Sequence, residues 1–178
     1  MKRLMYPLLA GMLLLASAFT AITSQDWSID KDFSIKFTSK DPSGIFESFK
    51  GTISFDEADL STAKFDLTID VNSINMGNNM KNKKSLTSEW FDEAKYKTIK
   101  FVSTKFEKTA DGYKVTGNMK IKGITKVYTI PMKFAGSGNT GKFTGTFYLN
   151  RIEFGVGEKS DVVPDKLKID FVVPVTKK

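Results

Sequence analysis

Apolar and polar residues alternate along most of the chain beyond its N-terminal stretch. In the stretch 64–71, Phe, Leu, Ile and Val occupy every second position, and Lys, Asp and Thr stand between them. A side-chain period of two indicates a β-strand with one buried face. The same alternation recurs in the stretches 33–37, 49–55, 113–121, 127–134, 142–149 and 166–175. The sequence therefore predicts an all-β fold.

Turn signals separate these stretches. Asp111-Gly112 is typical of a tight hairpin turn, and Gly123 marks a further connection. About eight strands joined as a meander favour a closed antiparallel barrel, with a two-sheet sandwich as the alternative. The stretch 136–141 reads G-x-G-x-x-G, but an alternating stretch follows it where a dinucleotide site needs a helix. We therefore expect a hairpin loop there.

One long segment, Asn72–Tyr96, lacks the period of two and is rich in Asn and Lys. Within it, Ser88–Asp92 is predicted to form a short helix, with Ser88 or Thr87 as its cap. Long loops in compact domains tend to be functional. Two interpretations stay open, a lid over the mouth of the barrel and a solvated crossover.

The first residues have the order of a secretory signal peptide. Met1–Arg3 is basic, Leu4–Leu15 is apolar, and Ala16–Ala18 supplies small residues. We expect a signal peptide at 1–18 and a barrel domain at 19–178. Because the chain has no Cys, it has no disulfide and no lipidation cysteine. The predicted localisation is periplasmic or secreted.

Alternation alone does not distinguish this barrel from one that spans an outer membrane, whose apolar face points outward. Lysines crowd the polar face here, and they would bring many like charges into a narrow lumen. The chain ends in Pro174–Lys178 without a terminal aromatic residue. Its aromatic residues are spread along the strands and are not gathered into the two girdles typical of a membrane barrel. We therefore expect a protein that is not integral to the membrane.

The complete absence of His and Cys bears on chemistry. It removes the commonest general base and rules out a Ser-His-Asp triad and Cys-His zinc sites. We therefore expect no enzymatic activity, no catalytic residues, no metal and no cofactor. The formal charge of +7 falls to about +5 once Lys2 and Arg3 are removed, which favours anionic surfaces or ligands.

Two basic features can be interpreted either as structural or solvated groups or as functional ones. Lys81, Lys83 and Lys84 form the densest basic patch, without interleaved aromatic residues, so nucleic-acid binding is not expected. The patch is interpreted as a solvated loop, with attraction of a phosphate head group as the alternative. Arg151 is predicted to be structural, bracing the last hairpin through Glu153 or a nearby carbonyl, with contact to a ligand as the alternative.

Several segments resemble those of the YceI-like, lipid-binding family. Gly117–Thr125 is similar to the family's G-x-L-T-I-x-G-V-T segment, and Phe49–Asp56 to its F-x-G-x-I-x-F-D segment. Phe91–Phe101 resembles F-D-x-x-x-Y-P-x-I-x-F, and Asn150–Gly155 resembles the R-x-D/E-F-G motif. Ser73-Ile74 matches the S-I that follows a central strand. The segments fall in the family's order and cover nearly all of the predicted domain.

The resemblance implies an eight-stranded, lipocalin-like antiparallel barrel with a short helical insertion. It also implies an elongated apolar cavity for a polyisoprenoid chain, such as a quinone tail or a polyprenyl phosphate, and export to the periplasm or beyond. The family usually carries two histidines, where this chain has Lys40 or its neighbours and the stretch Lys83–Leu86. No role of those histidines carries over.

The leading interpretation is an envelope carrier or store for a long-chain apolar lipid. The alternative is a filled barrel that acts as a structural or interaction module without a small ligand. Formation of a homodimer is left open. Inward-facing Phe, Met and Ile residues would line a lipid cavity, because flexible linings adapt to flexible chains. The candidate ligand-binding residues are Phe37, Phe49, Phe55, Phe101, Met119, Ile130, Met132, Phe147 and Phe171.

Overall fold

The computed structural model describes residues 24–178, so the predicted signal peptide lies outside the described residues. Strands dominate this part of the chain, and one α-helix, α1 (Asn79–Ser85), interrupts them. The strands are β1 (Asp26–Ile29), β2 (Ser34–Thr38), β3 (Gly44–Phe46), β4 (Phe49–Ser54), β5 (Lys64–Asp70), β6 (Ile74–Asn75), β7 (Thr98–Thr109), β8 (Gly112–Ile121), β9 (Ile124–Ser137), β10 (Thr140–Asn150) and β11 (Lys166–Lys177).

The sheet closes on itself as an eight-stranded antiparallel barrel. The ring runs β1-β4-β5-β7-β8-β9-β10-β11, and β11 pairs back onto β1, with Trp27 opposite Lys177. The short strands β2, β3 and β6 extend one half of the barrel: β2 pairs with β11, β3 with β2, and β6 with β3. The predicted barrel is thus confirmed, with three of its long strands each interrupted by a break.

Tight hairpins join the long strands from β7 to β10. Between β8 and β9, Lys122 and Gly123 both have positive φ, 46° and 79°, which is the requirement of a two-residue type I′ turn. The predicted hairpin near Asp111 is present between β7 and β8, with Ala110 and Asp111 as its loop. The glycine-rich stretch is the β9–β10 hairpin, as expected.

The predicted helix at Ser88–Asp92 is wrong in position. The helix lies upstream, at Asn79–Ser85, because the side chain of Asn78 caps it by accepting hydrogen bonds from the amides of Met80 and Lys81. Thr87, predicted as a cap, instead donates its hydroxyl to the carbonyl of Lys84 and so closes the helix. Residues 86–96 form turns.

Aromatic side chains close the end of the barrel opposite α1. We call this cluster the aromatic plug; it comprises Trp27, Phe55, Phe65, Phe106, Tyr113, Phe134 and Phe143. Phe55 is its centre, with 1% of its surface exposed and ring centroids 5.1 Å from Tyr113 and 5.2 Å from Phe143. The indole of Trp27 donates to the carbonyl of Phe55 at 2.8 Å. Among residues 24–178, no helix combines the length and apolar character needed to cross a membrane.

Candidate functional site: a row of apolar cavities

A cavity of about 120 Å³ lies in the middle of the barrel, between the aromatic plug and the α1 end. Every residue that lines it is apolar, because it is enclosed by the inward positions of the alternating strands. The lining comprises Ile35, Phe49, Ile53, Phe65, Leu67, Ile69, Ile99, Phe101, Val115, Met119, Ile130, Met132, Phe143, Phe147, Ile169, Phe171 and Val173. Such a space suits hydrocarbon and offers no partner to a polar group.

Two further cavities continue this one toward the α1 end. The next measures about 90 Å³ and shares Met119 and Phe147 with the central cavity. The third measures about 190 Å³ and shares Phe37 and Leu167 with the second. Shared walls place the three cavities in one row along the barrel, separated by side chains only.

The third cavity differs from the first two, whose surface is apolar, because charged groups contribute to its wall. Lys81 and Lys84 of α1 line it together with Asp41. Lys81 Nζ lies 2.7 Å from Asp41 Oδ1, so its charge is partnered. Within residues 24–178, no ion pair involves Lys84. The first two cavities of the row thus present apolar surface, and the third carries cationic side chains at the α1 end.

Arg151 forms part of the wall of the third cavity and is almost completely buried, with 2% exposure. Its guanidinium donates to four carbonyls between Val156 and Pro164, at 2.7–3.0 Å, and its Nη2 lies 3.6 Å from Asp165 Oδ1. Burial lowers the pKa of Arg151, and the nearby Asp165 carboxylate opposes that shift. The arginine therefore fixes the 156–164 loop through carbonyls. Glu153 plays no part in this; it accepts from Asn150 and Tyr128 instead.

The structure brings most of the predicted ligand-binding residues together. Those that line the central cavity are Phe49, Phe101, Met119, Ile130, Met132, Phe147 and Phe171. Phe37 lines the second and third cavities. Phe55 lies in the aromatic plug and lines none of the three. The alternation identifies an inward side chain, but it does not tell how deep along the barrel that side chain lies.

Other lining residues were not among the sequence candidates. Ile69, Ile99 and Ile169 share the inward face of their strands with the predicted residues, so the same alternation signals them. Trp90 and Phe91 line the third cavity from the turns after α1, where no periodicity marks them. Their position brings part of the 72–96 segment to the wall of the third cavity.

Two glycines shape the central cavity. A Cβ at Gly117 would come within 2.6 Å of the Phe101 ring, and one at Gly145 within 2.6 Å of the Phe171 ring. Each ring therefore occupies the space that a side chain at the glycine would need. The missing side chains let these rings lie against the wall and leave the middle of the barrel open.

A closed antiparallel barrel with an enclosed apolar cavity defines a class of binding fold related in architecture to the lipocalins. Residues 20–175 match the model of one particular family, the YceI-like domain. The chain belongs to the YceI-like domain family.

Relatives cover the chain nearly end to end. The chain is 31% identical to a UPF0312 protein of Serratia proteamaculans, over 98% of this chain and 96% of the relative. It is 30% identical to Protein YceI of Salmonella arizonae, over 74% of this chain and 71% of the relative.

Solved structures show the same barrel. Burkholderia cenocepacia BcnA superposes with a TM-score of 0.78 at 31% identity, over 83% of this chain and 99% of BcnA. A polyisoprenoid binding domain from Saccharophagus degradans superposes with a TM-score of 0.64 at 15% identity, over 85% of this chain and 98% of that domain. At that identity the second likeness concerns the fold alone.

Proposed function

We propose that the protein binds a long-chain apolar lipid of the polyisoprenoid or quinone type inside its barrel and serves as an envelope carrier or store for it. The observation that carries the proposal is the row of three cavities, the first two with apolar surface and the third with cationic side chains at the α1 end. A narrow hydrocarbon chain with a polar or anionic head matches this arrangement. The proposal includes export of the protein by its signal peptide.

Burial of the chain supplies the binding energy. Each methylene moved from water into the barrel contributes about 0.8 kcal/mol. The central cavity is smaller than the ~300 Å³ at which ligand pockets usually begin, so a long chain must displace side chains or join the cavities. Met119 and Phe147 line both of the first two cavities, so displacement of their side chains would join these cavities. Ordering the chain and reshaping the lining offset part of the gain.

The head group is placed at the α1 end in this proposal. Lys84 has no ion pair within the described part of the chain, and Lys81 is held by Asp41. A phosphate there would gain a cation without displacing a buried polar contact. The S. degradans domain is described as polyisoprenoid binding, which supports the class of ligand.

Binding and not catalysis is proposed, because no titratable side chain lines the central cavity and the chain lacks His and Cys. An active site needs a group that can accept or donate a proton or attack a substrate. The central cavity offers hydrocarbon only.

Native mass spectrometry of the protein purified from its host, followed by organic extraction and lipid analysis, tests the proposal. We expect a stoichiometric adduct that extracts as a long isoprenoid. A bare protein mass, with no gain after incubation with polyprenyl phosphates or quinones, would favour the alternative of a filled barrel.

A further inference from the structure

Backbone pairing between β9 and β10 stops halfway along the two strands. Ladder pairs run from Ser137 opposite Thr140 to Lys133 opposite Thr144 and go no further. Both strands nevertheless continue, because β8 pairs with β9 down to Ile124 and β11 pairs with β10 down to Asn150. We call the unpaired part the seam; it is formed by residues 124–132 of β9 and 145–150 of β10.

The local sequence accounts for the start of the seam. Pro131 has no amide hydrogen to give to a ladder. Gly145 has no side chain, and the carbonyl oxygen of Pro131 lies so close that a Cβ on Gly145 would stand 2.5 Å from it. The strands therefore still touch at this point, while the pairing ends there.

Beyond that point, the side chain of Tyr128 takes the place of a backbone ladder. Its hydroxyl accepts a hydrogen bond from the Asn150 amide at 3.3 Å and donates one to Glu153 Oε2 at 3.2 Å. Both distances lie beyond the usual range for such bonds, so the two contacts are weak. Its ring also meets Phe147 and Phe154, with centroids 6.4 and 5.7 Å away.

The wall of the barrel is thin along the seam. Ile130 and Phe147, which stand on either side of it, line the central cavity. Met132 and Phe171 line both that cavity and a groove on the outer surface. Phe147 and Phe171 are only half-buried although they point inward. Along the seam, single side chains separate the central cavity from the outer surface.

We propose that the seam is the lateral route by which the lipid chain enters and leaves the barrel. The hydroxyl of Tyr128 holds this route closed through its hydrogen bonds. The inference rests on the proposed function, since it concerns access to the same cavity. Opening the seam breaks two long hydrogen bonds and no ladder bond. The chain then moves sideways into the central cavity, and its head group does not have to pass through the barrel. Exposed apolar side chains, Val127 and Tyr148, flank the opening on the outside.

A covalent cross-link across the seam tests this route, and the absence of native Cys makes the labelling specific. Thr129→Cys with Tyr148→Cys places one thiol on each side of the seam, on the outer face, to be joined by a short bis-maleimide. The matched control is Lys100→Cys with Lys120→Cys, which are exposed, directly paired on β7 and β8, and remote from the seam. A dansyl-labelled geranylgeranyl chain is mixed with each protein, and association is followed by stopped-flow fluorescence.

The cross-linked seam should slow association at least tenfold, while the control cross-link leaves the rate unchanged. Equal rates in the two cross-linked proteins would overturn the lateral route and point to the α1 end. If the unmodified protein does not bind the dansyl probe at all, the proposed function fails, and this inference with it.

Tyr128→Phe gives a second, independent measurement. It keeps the ring against Phe147 and Phe154 and removes the hydroxyl that holds Asn150 and Glu153. We expect the two weak hydrogen bonds together to be worth about one ordinary hydrogen bond, which is about fivefold in an equilibrium, so association and dissociation should both accelerate by roughly that factor. An equal change in both rates leaves the Kd unaltered, which a purely structural defect in the cavity would not do. Unchanged rates would show that the Tyr128 hydroxyl does not hold the seam closed.

Discussion

The ring of Phe134 lies so close to Gly141 on the neighbouring strand that a Cβ at position 141 would stand 2.6 Å from its Cε2 atom. The same ring covers Gly136, which is directly paired with Gly141. Phe134 thereby packs on two residues without side chains and reaches Phe143 at a centroid separation of 4.6 Å. This contact is part of the aromatic plug that closes this end of the barrel.

Gly141→Ala is therefore expected to destabilise the protein. Gly141 is not among the residues with positive φ, so the cost is steric and not conformational. Overpacking of this kind typically costs about 1–3 kcal/mol, which urea denaturation can measure. The control is the same substitution in a Phe134→Leu background, where the ring is gone and the cost should shrink. An equal cost in both backgrounds would exclude the ring contact as the cause.

Arg151→Lys should be far from conservative. An ammonium group cannot reach the four carbonyls that the guanidinium holds, and it would be buried with its hydrogen bonds incomplete. We expect a loss of about 3–5 kcal/mol in the free energy of unfolding. Hydrogen exchange should show faster exchange in the 156–164 loop before global unfolding.

Lys105→Met is the matched control for that prediction. Lys105 forms an ion pair with Glu107 at 2.9 Å, and both side chains are exposed. Exposed pairs contribute about 0–1 kcal/mol, so its removal should leave the denaturation midpoint nearly unchanged. If Arg151→Lys behaved like this surface substitution, the bracing role of Arg151 would be refuted.

The sequence predicts the barrel because the alternation of apolar and polar residues within each strand indicates which face of that strand is buried. In β8 the buried positions Tyr113, Val115, Met119 and Ile121 follow the period of two without exception. The buried face of β7 is harder to predict, because the register of its pairing with β8 shifts between Ser103 and Lys105. A bulge of this kind breaks the alternation, since it turns the following residues to the other face.

The ends of the cavity row could not be predicted in the same way. Phe55 and Phe101 carry the same inward signal, yet one packs in the plug and the other lines the central cavity. Which of them meets open space depends on how strands from distant parts of the chain stack their layers. The seam also escapes prediction, because Pro131 stands in an apparently regular alternating stretch and its effect depends on the neighbouring strand.

Tyr113 gives the folded protein a specific alkaline sensitivity. Burial, with the hydrogen bond to Glu57 at 2.7 Å and the charge of that carboxylate, raises the pKa of Tyr113 to about 12. The unfolded chain loses this proton near pH 10, so the contribution is fully present below pH 10 and is lost as the pH rises toward 12.

Tyr113→Phe should therefore flatten part of the alkaline decline in stability. Two pKa units correspond to roughly 2–3 kcal/mol between pH 9 and pH 12. Urea denaturation at both pH values, for the native and the substituted chain, measures the difference. An identical decline in both proteins would show that Tyr113 is not responsible.

Met119→Trp should separate lipid binding from stability. Met119 lines the first and second cavities of the row, so the larger ring would occupy space that the lipid chain needs. Because the cavities beside Met119 can take up part of the added volume, we expect the free energy of unfolding to fall by no more than the roughly 1–3 kcal/mol of overpacking, while affinity for a geranylgeranyl probe falls at least tenfold. Thr52→Trp adds an indole to the exposed face of β4 and serves as the control for bulk alone. Undiminished affinity in Met119→Trp, measured by fluorescence titration, would mean that the lipid does not lie in the row of cavities, because no long chain could pass an indole at its junction.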